Sequence, residues 1–189
     1  AAPGQPPIVP GNPAEGVEVL LSVWDDGQVI ALNGHVDLGT GIRTSLAQIV
    51  AEELDVAFAQ VEMVLGDTAR APNQGPTIAS ATIQIHAVPL RQAAAQARAH
   101  LLARASTRLG APVSLLVAEE GAVHTRDDAS RCVSYGELLR GERIELHLDA
   151  SVPTKPASEY RIVGQSSPRV DIPAKAFGEL AFVHDMRVP

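Results

Sequence analysis

Apolar and polar positions change period several times along the chain, and each change marks an element. Val17 to Val23 alternates as a half-buried strand does, Asp25-Asp26-Gly27 is a strong hairpin turn, and Gln28 to Leu32 or His35 returns as the second strand. From Thr44 the period becomes helical: Leu46, Ala47, Ile49, Val50 and Leu54 share one face, which predicts a helix over 44–54 with a capping box between Ser45 and Gln48. Val61 to Leu65 is a short strand, and Gly66 through Pro76 is a polar loop punctuated by glycine and proline.

Thr77 to Leu109 is rich in Ala, Leu, Gln and Arg and ends at Gly110, a residue that helices favour just past their last turn. Pro89 interrupts it, which predicts a kink or a short helix at 78–86 followed by a long one at 89–109. Its apolar face, Leu90, Ala94, Ala97, Leu101 and Leu102, is core; its polar face, Arg91, Gln92, Gln96 and Arg98, reads as solvated surface. Val113–Ala118 and Ala122–Thr125, joined by Glu120-Gly121, form a second hairpin. A short helix follows at 134–140, and strands are expected at 143–148 and 179–184.

This order of elements predicts an α+β fold: a small mixed sheet of hairpins with two principal helices packed on it. Residues 1–16, with five prolines and three glycines, form an arm ahead of a domain at 17–148. Residues 149–160, with Pro153 and Pro156, form a linker, and 161–189 begin a following domain too short to bury a core of its own.

Composition narrows the function classes. At 189 residues, 46% hydrophobic and 20% charged, the chain is an ordinary globular sequence. A net charge of -7 argues against a nucleic-acid groove or an anionic membrane surface. Aromatic residues at 3% leave too few rings for a base-stacking platform. The six histidines show no H-E-x-x-H or H-x-H pairing, so neither metal ligands nor catalytic residues are assigned, and the lone Cys132 is expected to pack. No apolar run reaches the roughly 18 residues of a membrane helix, so the chain reads as soluble, cytoplasmic or periplasmic.

The candidate chemistry lies where the first hairpin runs into the helix. Gly39 and Gly41 open onto a helix N-terminus, where unpaired amides and the macrodipole favour an anion and the missing Cβ atoms allow close approach. Around it, Asp67 reads as a turn former and His35 as a hydrogen-bonded structural residue. Arg43 is open between phosphate contact and solvated helix surface, and Asn73 between ligand contact and loop closure.

The blocks G-x-x-x-L-G-x-G followed by A-E-E-L at 34–54, and V-x-M-V-x-G-D-T-x-x-x-P-N-x-x-P-T-x-A-S-A-T at 61–84, resemble the molybdopterin-binding large subunit of the xanthine dehydrogenase and aldehyde oxidase family. The arrangement is most similar to the nicotinate and isoquinoline oxidoreductase branch, with 161–189 resembling the start of an aldehyde oxidase hammerhead-like domain. By position, the resemblance implies cofactor contacts at Leu38, Gly39, Thr40 and Gly41 and at Ala79, Ser80, Ala81 and Thr82. Two helix N-termini would supply amide donors, and Ser80 and Thr82 hydroxyl donors.

The same resemblance implies a molybdenum–molybdopterin cofactor in its cytosine dinucleotide form. It also implies iron–sulfur clusters on a small partner subunit, the remainder of the large subunit as the other partner, and oxidative hydroxylation of an N-heteroaromatic or aldehyde substrate. Thr40 departs from the family's usual glutamine and is shorter, which shortens its reach toward a metal. No block here matches the one carrying the family's glutamate base, so the piece is expected to be inactive alone. The alternative is a non-catalytic anion-binding or subunit-interaction module.

Overall fold

The computed structural model describes residues 18–187; the arm at 1–16 lies outside them. Strand β1 (Leu21–Val23) pairs antiparallel with β2 (Val29–Asn33), Leu21 opposite Ala31. After β2 the chain crosses over through helix α1 (Ile42–Leu54) and returns as β3 (Val61–Leu65), parallel to β2 with Val29 opposite Val61. A parallel pair needs such a crossover, and the strand it buries on both faces is apolar from Val29 to Leu32. All five residues of β2 are buried.

A second, antiparallel sheet comprises β4 (Leu116–Glu119), β5 (Ala122–Thr125) and β6 (Cys132–Ser134). Glu120 and Gly121 both hold positive φ, 48° and 77°, the backbone that matches a two-residue hairpin to the twist of its strands. Helix α3 (Tyr135–Leu139) follows, capped by Ser134 and Glu137 in a reciprocal box. Cys132 is exposed rather than packed, because β6 turns Val133 inward and its neighbours outward.

The long helix starts with a π-helical turn, Thr82–His86, and continues as α2 (Ala87–Leu109) to Gly110 in the left-handed region. The kink predicted at Pro89 therefore takes the form of a wider turn just ahead of it. The helix is not broken in two; local π geometry is one of the ways an α-helix absorbs such a disruption.

Helix α1 packs on α2, and the two lie on the mixed sheet. Val29 and Ala31, Leu46, Val50 and Leu54, and Leu90, Ala94 and Leu101 form one core with Val123 and Val133 of the second sheet. Buried Tyr135 ties α3 to α1, its hydroxyl donating to the Leu54 carbonyl at 2.7 Å; burial pushes its phenol well above the ordinary value.

The C-terminal segment lies against α1. Glu52, buried, accepts the amides of Arg161, Ile162 and Val163 at 2.9, 2.6 and 2.9 Å. Buried Lys155 donates from Nζ to the carbonyl and carboxylate of Glu52 and to Asp55, while its amide donates to Glu53. Arg91 closes the cluster, with Nε 2.6 Å from Glu53 and Nη2 2.6 Å from the Lys155 carbonyl.

Several expectations change. Arg91, Gln96 and Arg98 are not solvated surface: Gln96 holds His147 and Asp149, and Arg98 pairs with Asp55. Gln48 does not cap α1 but donates to the Ile162 and Gln165 carbonyls, both at 3.2 Å. Residues 143–148 and 179–184 form no strand; the latter runs into a 3₁₀ turn, Val183–Asp185, and neither segment finds a neighbouring strand to pair with.

Candidate functional site

Beyond β2 the backbone from Asn33 to Val36 is stitched to the loop that precedes the π-helical turn. The Gly34 amide donates to Gln74 Oε1 at 2.8 Å, the Val36 amide to Thr77 Oγ1 at 3.0 Å, and Asn33 Nδ2 to the His86 carbonyl at 3.4 Å. His35, fully buried, lies 2.7 Å by Nδ1 from Thr82 Oγ1 and 3.3 Å by Nε2 from the Gln74 carbonyl. A carbonyl only accepts, so in the neutral ring Nε2 carries the proton and Nδ1 accepts from the Thr82 hydroxyl. The expected structural role of His35 holds.

These bonds bring the two predicted loops off the same end of β2. Thr82, buried, is the inner anchor of the second loop, while Ala79 and Ser80 are exposed. Both adopt the left-handed region, φ 52° and 56°, an unfavourable conformation for residues with a Cβ. Ala81 donates its amide to Ile78. Among the described residues, the amides of Ala79 and Ser80 and the Ser80 hydroxyl have no hydrogen-bond partner, so three donors on two adjacent exposed residues are left unpaired.

The first loop is built differently. Gly41 caps α1 with φ 80°, and Gly39 holds φ 93°. Asp37 supplies the anion for this helix N-terminus: Oδ1 accepts the amides of Gly39 and Gly41 at 2.9 and 3.1 Å, and Oδ2 accepts that of Arg43 at 3.2 Å. Burial pulls the Asp37 carboxyl upward, but the Arg43, Gly41 and Gly39 amides outweigh it and hold the group below its ordinary value. The donors expected for an external anion at Gly39 and Gly41 are thus satisfied within the chain. What this loop offers a ligand is its outer surface: Leu38, Thr40, and the bare face of Gly39, where an added Cβ would meet nothing within 4 Å.

Thr40 turns back on its own loop, with Oγ1 3.5 Å from Asp37. The Arg43 guanidinium donates to the Met63 carbonyl and braces α1 against β3. Asp67 turns its loop, accepting the Ala69 amide and pairing with Arg70, and Asn73 closes its own by accepting the Gly75 amide. Val36, Leu38 and Ile78 are exposed on or next to the two loops, and Ile83, Ile85 and Val88 are exposed along the π-helical turn and the start of α2.

Asp37 had a legible signal that sequence reading passed over: an Asp two residues before a glycine turn commonly accepts the amides that follow. Arg169 had none. It reaches the first loop from 130 residues downstream and donates from Nη1 to the Gly39 carbonyl at 2.9 Å.

Residues 3–178 match the model of the molybdopterin cofactor-binding domain. The chain belongs to this family. It is 57% identical over 182 residues to the B subunit of nicotinate dehydrogenase from Pseudomonas putida, covering 96% of this chain and 15% of that protein. It is 28% identical to the beta subunit of isoquinoline 1-oxidoreductase from Brevundimonas diminuta, covering 98% of this chain and 30% of that one. The chain thus spans less than a third of the length of these curated relatives.

Among solved structures, CO dehydrogenase from Oligotropha carboxidovorans aligns over 62% of this chain and 15% of its own, with a TM-score of 0.54 and 23% identity. Quinoline 2-oxidoreductase from Pseudomonas putida 86 aligns over 63% and 15%, with a TM-score of 0.52 and 24% identity. These likenesses show a shared fold.

Membership of the molybdopterin cofactor-binding family disfavours an unrelated anion-binding module. The residues present fit such a group at the second loop, where three donors are unpaired, and at the bare face of Gly39, where a flat ring system can approach backbone. Among the described residues no cluster of three or more His, Cys, Asp or Glu side chains is placed to hold a metal ion. No helix among them is long and apolar enough to cross a membrane.

Proposed function

We propose that this chain is the N-terminal part of a molybdenum hydroxylase large subunit, and that loops 38–41 and 79–82 together hold its molybdopterin. The reading is carried by one observation: the His35–Thr82 hydrogen bond, with Val36–Thr77 beside it, fixes both loops to one end of β2. Ser80, with its free hydroxyl and amide, takes the anionic end of the cofactor, for which we propose the cytosine dinucleotide form. The outer face of Leu38, Gly39 and Thr40 takes the pterin side.

When bound, the molybdenum group supplies the redox chemistry of oxidative hydroxylation. This chain's residues bind and orient it, and exposed Val36, Leu38 and Ile78 exclude water once the remainder of the large subunit covers them. Given the 57% identity to a nicotinate dehydrogenase, the substrate we propose is an N-heteroaromatic compound of the nicotinate class rather than an aldehyde. As the electron acceptor we propose iron–sulfur clusters on a small partner subunit.

Molybdenum and pterin analysis of the full-length, partner-bound protein tests this reading. Stoichiometric metal, extractable pterin and release of a cytosine nucleotide on hydrolysis are expected; absence of both metal and pterin overturns it. Ser80→Ala is expected to reduce cofactor retention without unfolding the protein, because its side chain is exposed and has no partner among the described residues.

A further inference from the structure

Both peptide units that flank the Gly39 Cα are held, each by a different partner. The Gly39 amide donates to Asp37, within the same loop, and its carbonyl accepts from Arg169, which belongs to the segment that follows the proline-bearing linker. The Arg169 guanidinium also lies over Gly41: a Cβ built there would stand 3.3 Å from both Cδ and Nε of the arginine. Gly41 is therefore bare not only for its positive φ but to admit this side chain.

Arg169 is itself oriented. Asp171 accepts from Nε at 3.0 Å and from Nη2 at 2.6 Å, a paired arrangement that leaves Nη1 for Gly39. Lys175 Nζ reaches the same Asp171 carboxylate at 2.5 Å, and both cations hold that carboxyl far below its ordinary value. The next residue along the backbone, Val170, donates its amide to buried Thr44 Oγ1 at 3.1 Å, inside the first turn of α1. Asp171 thus orients the guanidinium, the Asp37 charge attracts it from the loop, and the backbone just after Arg169 is fixed at Val170.

We infer that Arg169 is the positioning residue of the 38–41 loop: it sets the Gly39–Thr40 surface against the cofactor, and only when the 161–175 segment has docked on α1. This rests on the cofactor reading of the loop proposed above. Local hydrogen bonds to Asp37 can shape the loop's amide side, but nothing in residues 34–54 supplies a donor to the Gly39 carbonyl. Without Arg169 the Gly39–Thr40 peptide unit is free to rotate, and the bare face of Gly39 loses its fixed direction. The segment after the linker acts as a strap that makes loop geometry depend on correct assembly of the downstream chain.

The test is made on the full-length, partner-bound protein with Arg169→Met, Arg169→Lys and Asp171→Asn, reading hydrogen exchange at the amides of residues 39–43 and molybdenum and pterin content side by side. Losing a charged hydrogen bond predicts roughly tenfold faster exchange in this loop for Arg169→Met, with the α2 amides unchanged. A several-fold fall in cofactor content accompanies it. Arg169→Lys, which keeps the charge but not the paired geometry, restores exchange and content only in part. Asp171→Asn, which leaves the arginine in place but unoriented, gives a smaller change of the same sign.

Unchanged loop exchange in Arg169→Met overturns the inference, as does faster exchange spread equally over α2, which marks general destabilisation. If the parent protein itself carries neither molybdenum nor pterin while the loop responds as expected, the strap stands and the cofactor reading falls. Should Arg169→Met fail to fold, Asp171→Asn decides: loop exchange no faster than in the parent overturns the inference.

Discussion

His35 and Thr82 are 47 positions apart and meet at 2.7 Å in the interior, Nδ1 against Oγ1. Each belongs to a different cofactor-motif block, and each is buried. Replacing Thr82 with Val keeps the shape and leaves the imidazole nitrogen unpaired, which is expected to cost about 1–3 kcal/mol. Thr82→Ser retains the hydroxyl and most of the stability. Denaturant unfolding of the two variants separates the hydrogen bond from packing; equal losses would place the effect in packing.

The His35 ring stands 4.4 Å from that of His86, edge to face. Burial lowers the His86 pKa from 6.5, and repulsion from His35 lowers it further. The unfolded chain therefore binds a proton that the folded protein refuses, so stability is full above the unfolded value and falls as the pH drops through it and below. The unfolding midpoint measured from pH 7.5 to 5 should decline in the parent and decline less in His86→Gln, whose backbone contact to Asn33 is unaltered.

Asp37 takes three amides at the start of α1. Asp37→Ala is expected to lower stability by about 2 kcal/mol and to free the loop, as removal of a strong helix cap does. Its carboxyl is held below the ordinary 3.8, so the contribution is complete above that pH and is lost as the pH falls below it. Acid titration of unfolding in parent and Asp37→Ala should converge at low pH.

Glu52 is buried with Lys155 as its counter-ion and three backbone amides as donors. Glu52→Gln leaves Lys155 without that charge and weakens the amide bonds, with an expected cost of about 3 kcal/mol. The loss should appear first as faster hydrogen exchange over residues 161–163, before any change in β2.

Gly34 has no room for a side chain: a Cβ there would stand 2.1 Å from the Pro72 carbonyl. Gly34→Ala must push the 72–77 loop away from β2, at roughly 1–3 kcal/mol. Since that loop leads to Ser80, cofactor content of the full-length protein should fall alongside the thermal midpoint.

The local elements were legible because their signals are local. Val61–Leu65 occupies its predicted span, the Glu120-Gly121 hairpin forms where two residues of positive φ are needed, and Ser134 with Glu137 caps α3. The blocks at 34–54 and 61–84 pointed to the family that the match over 3–178 shows. The polar face of α2 was misread because a charged residue on a helix looks the same whether its partner is water or a carboxylate far along the chain. Arg91 and Arg98 meet Glu53 and Asp55 only after α1 has packed.

Residue order alone determined the hairpin turns, the helix periods, the left-handed glycines and the membership of a family, since each depends on neighbours within a few positions or on a motif read in line. Tertiary structure decided which charges are buried and which loop amides remain free. Asp37 spends the donors of one loop while Ser80 keeps those of the other, and Arg169 reaches Gly39 across 130 positions. Those outcomes depend on distances that exist only once β2, α1 and the C-terminal segment have packed together, because hydrogen bonds and desolvation act over a few ångströms of space whatever the separation in sequence.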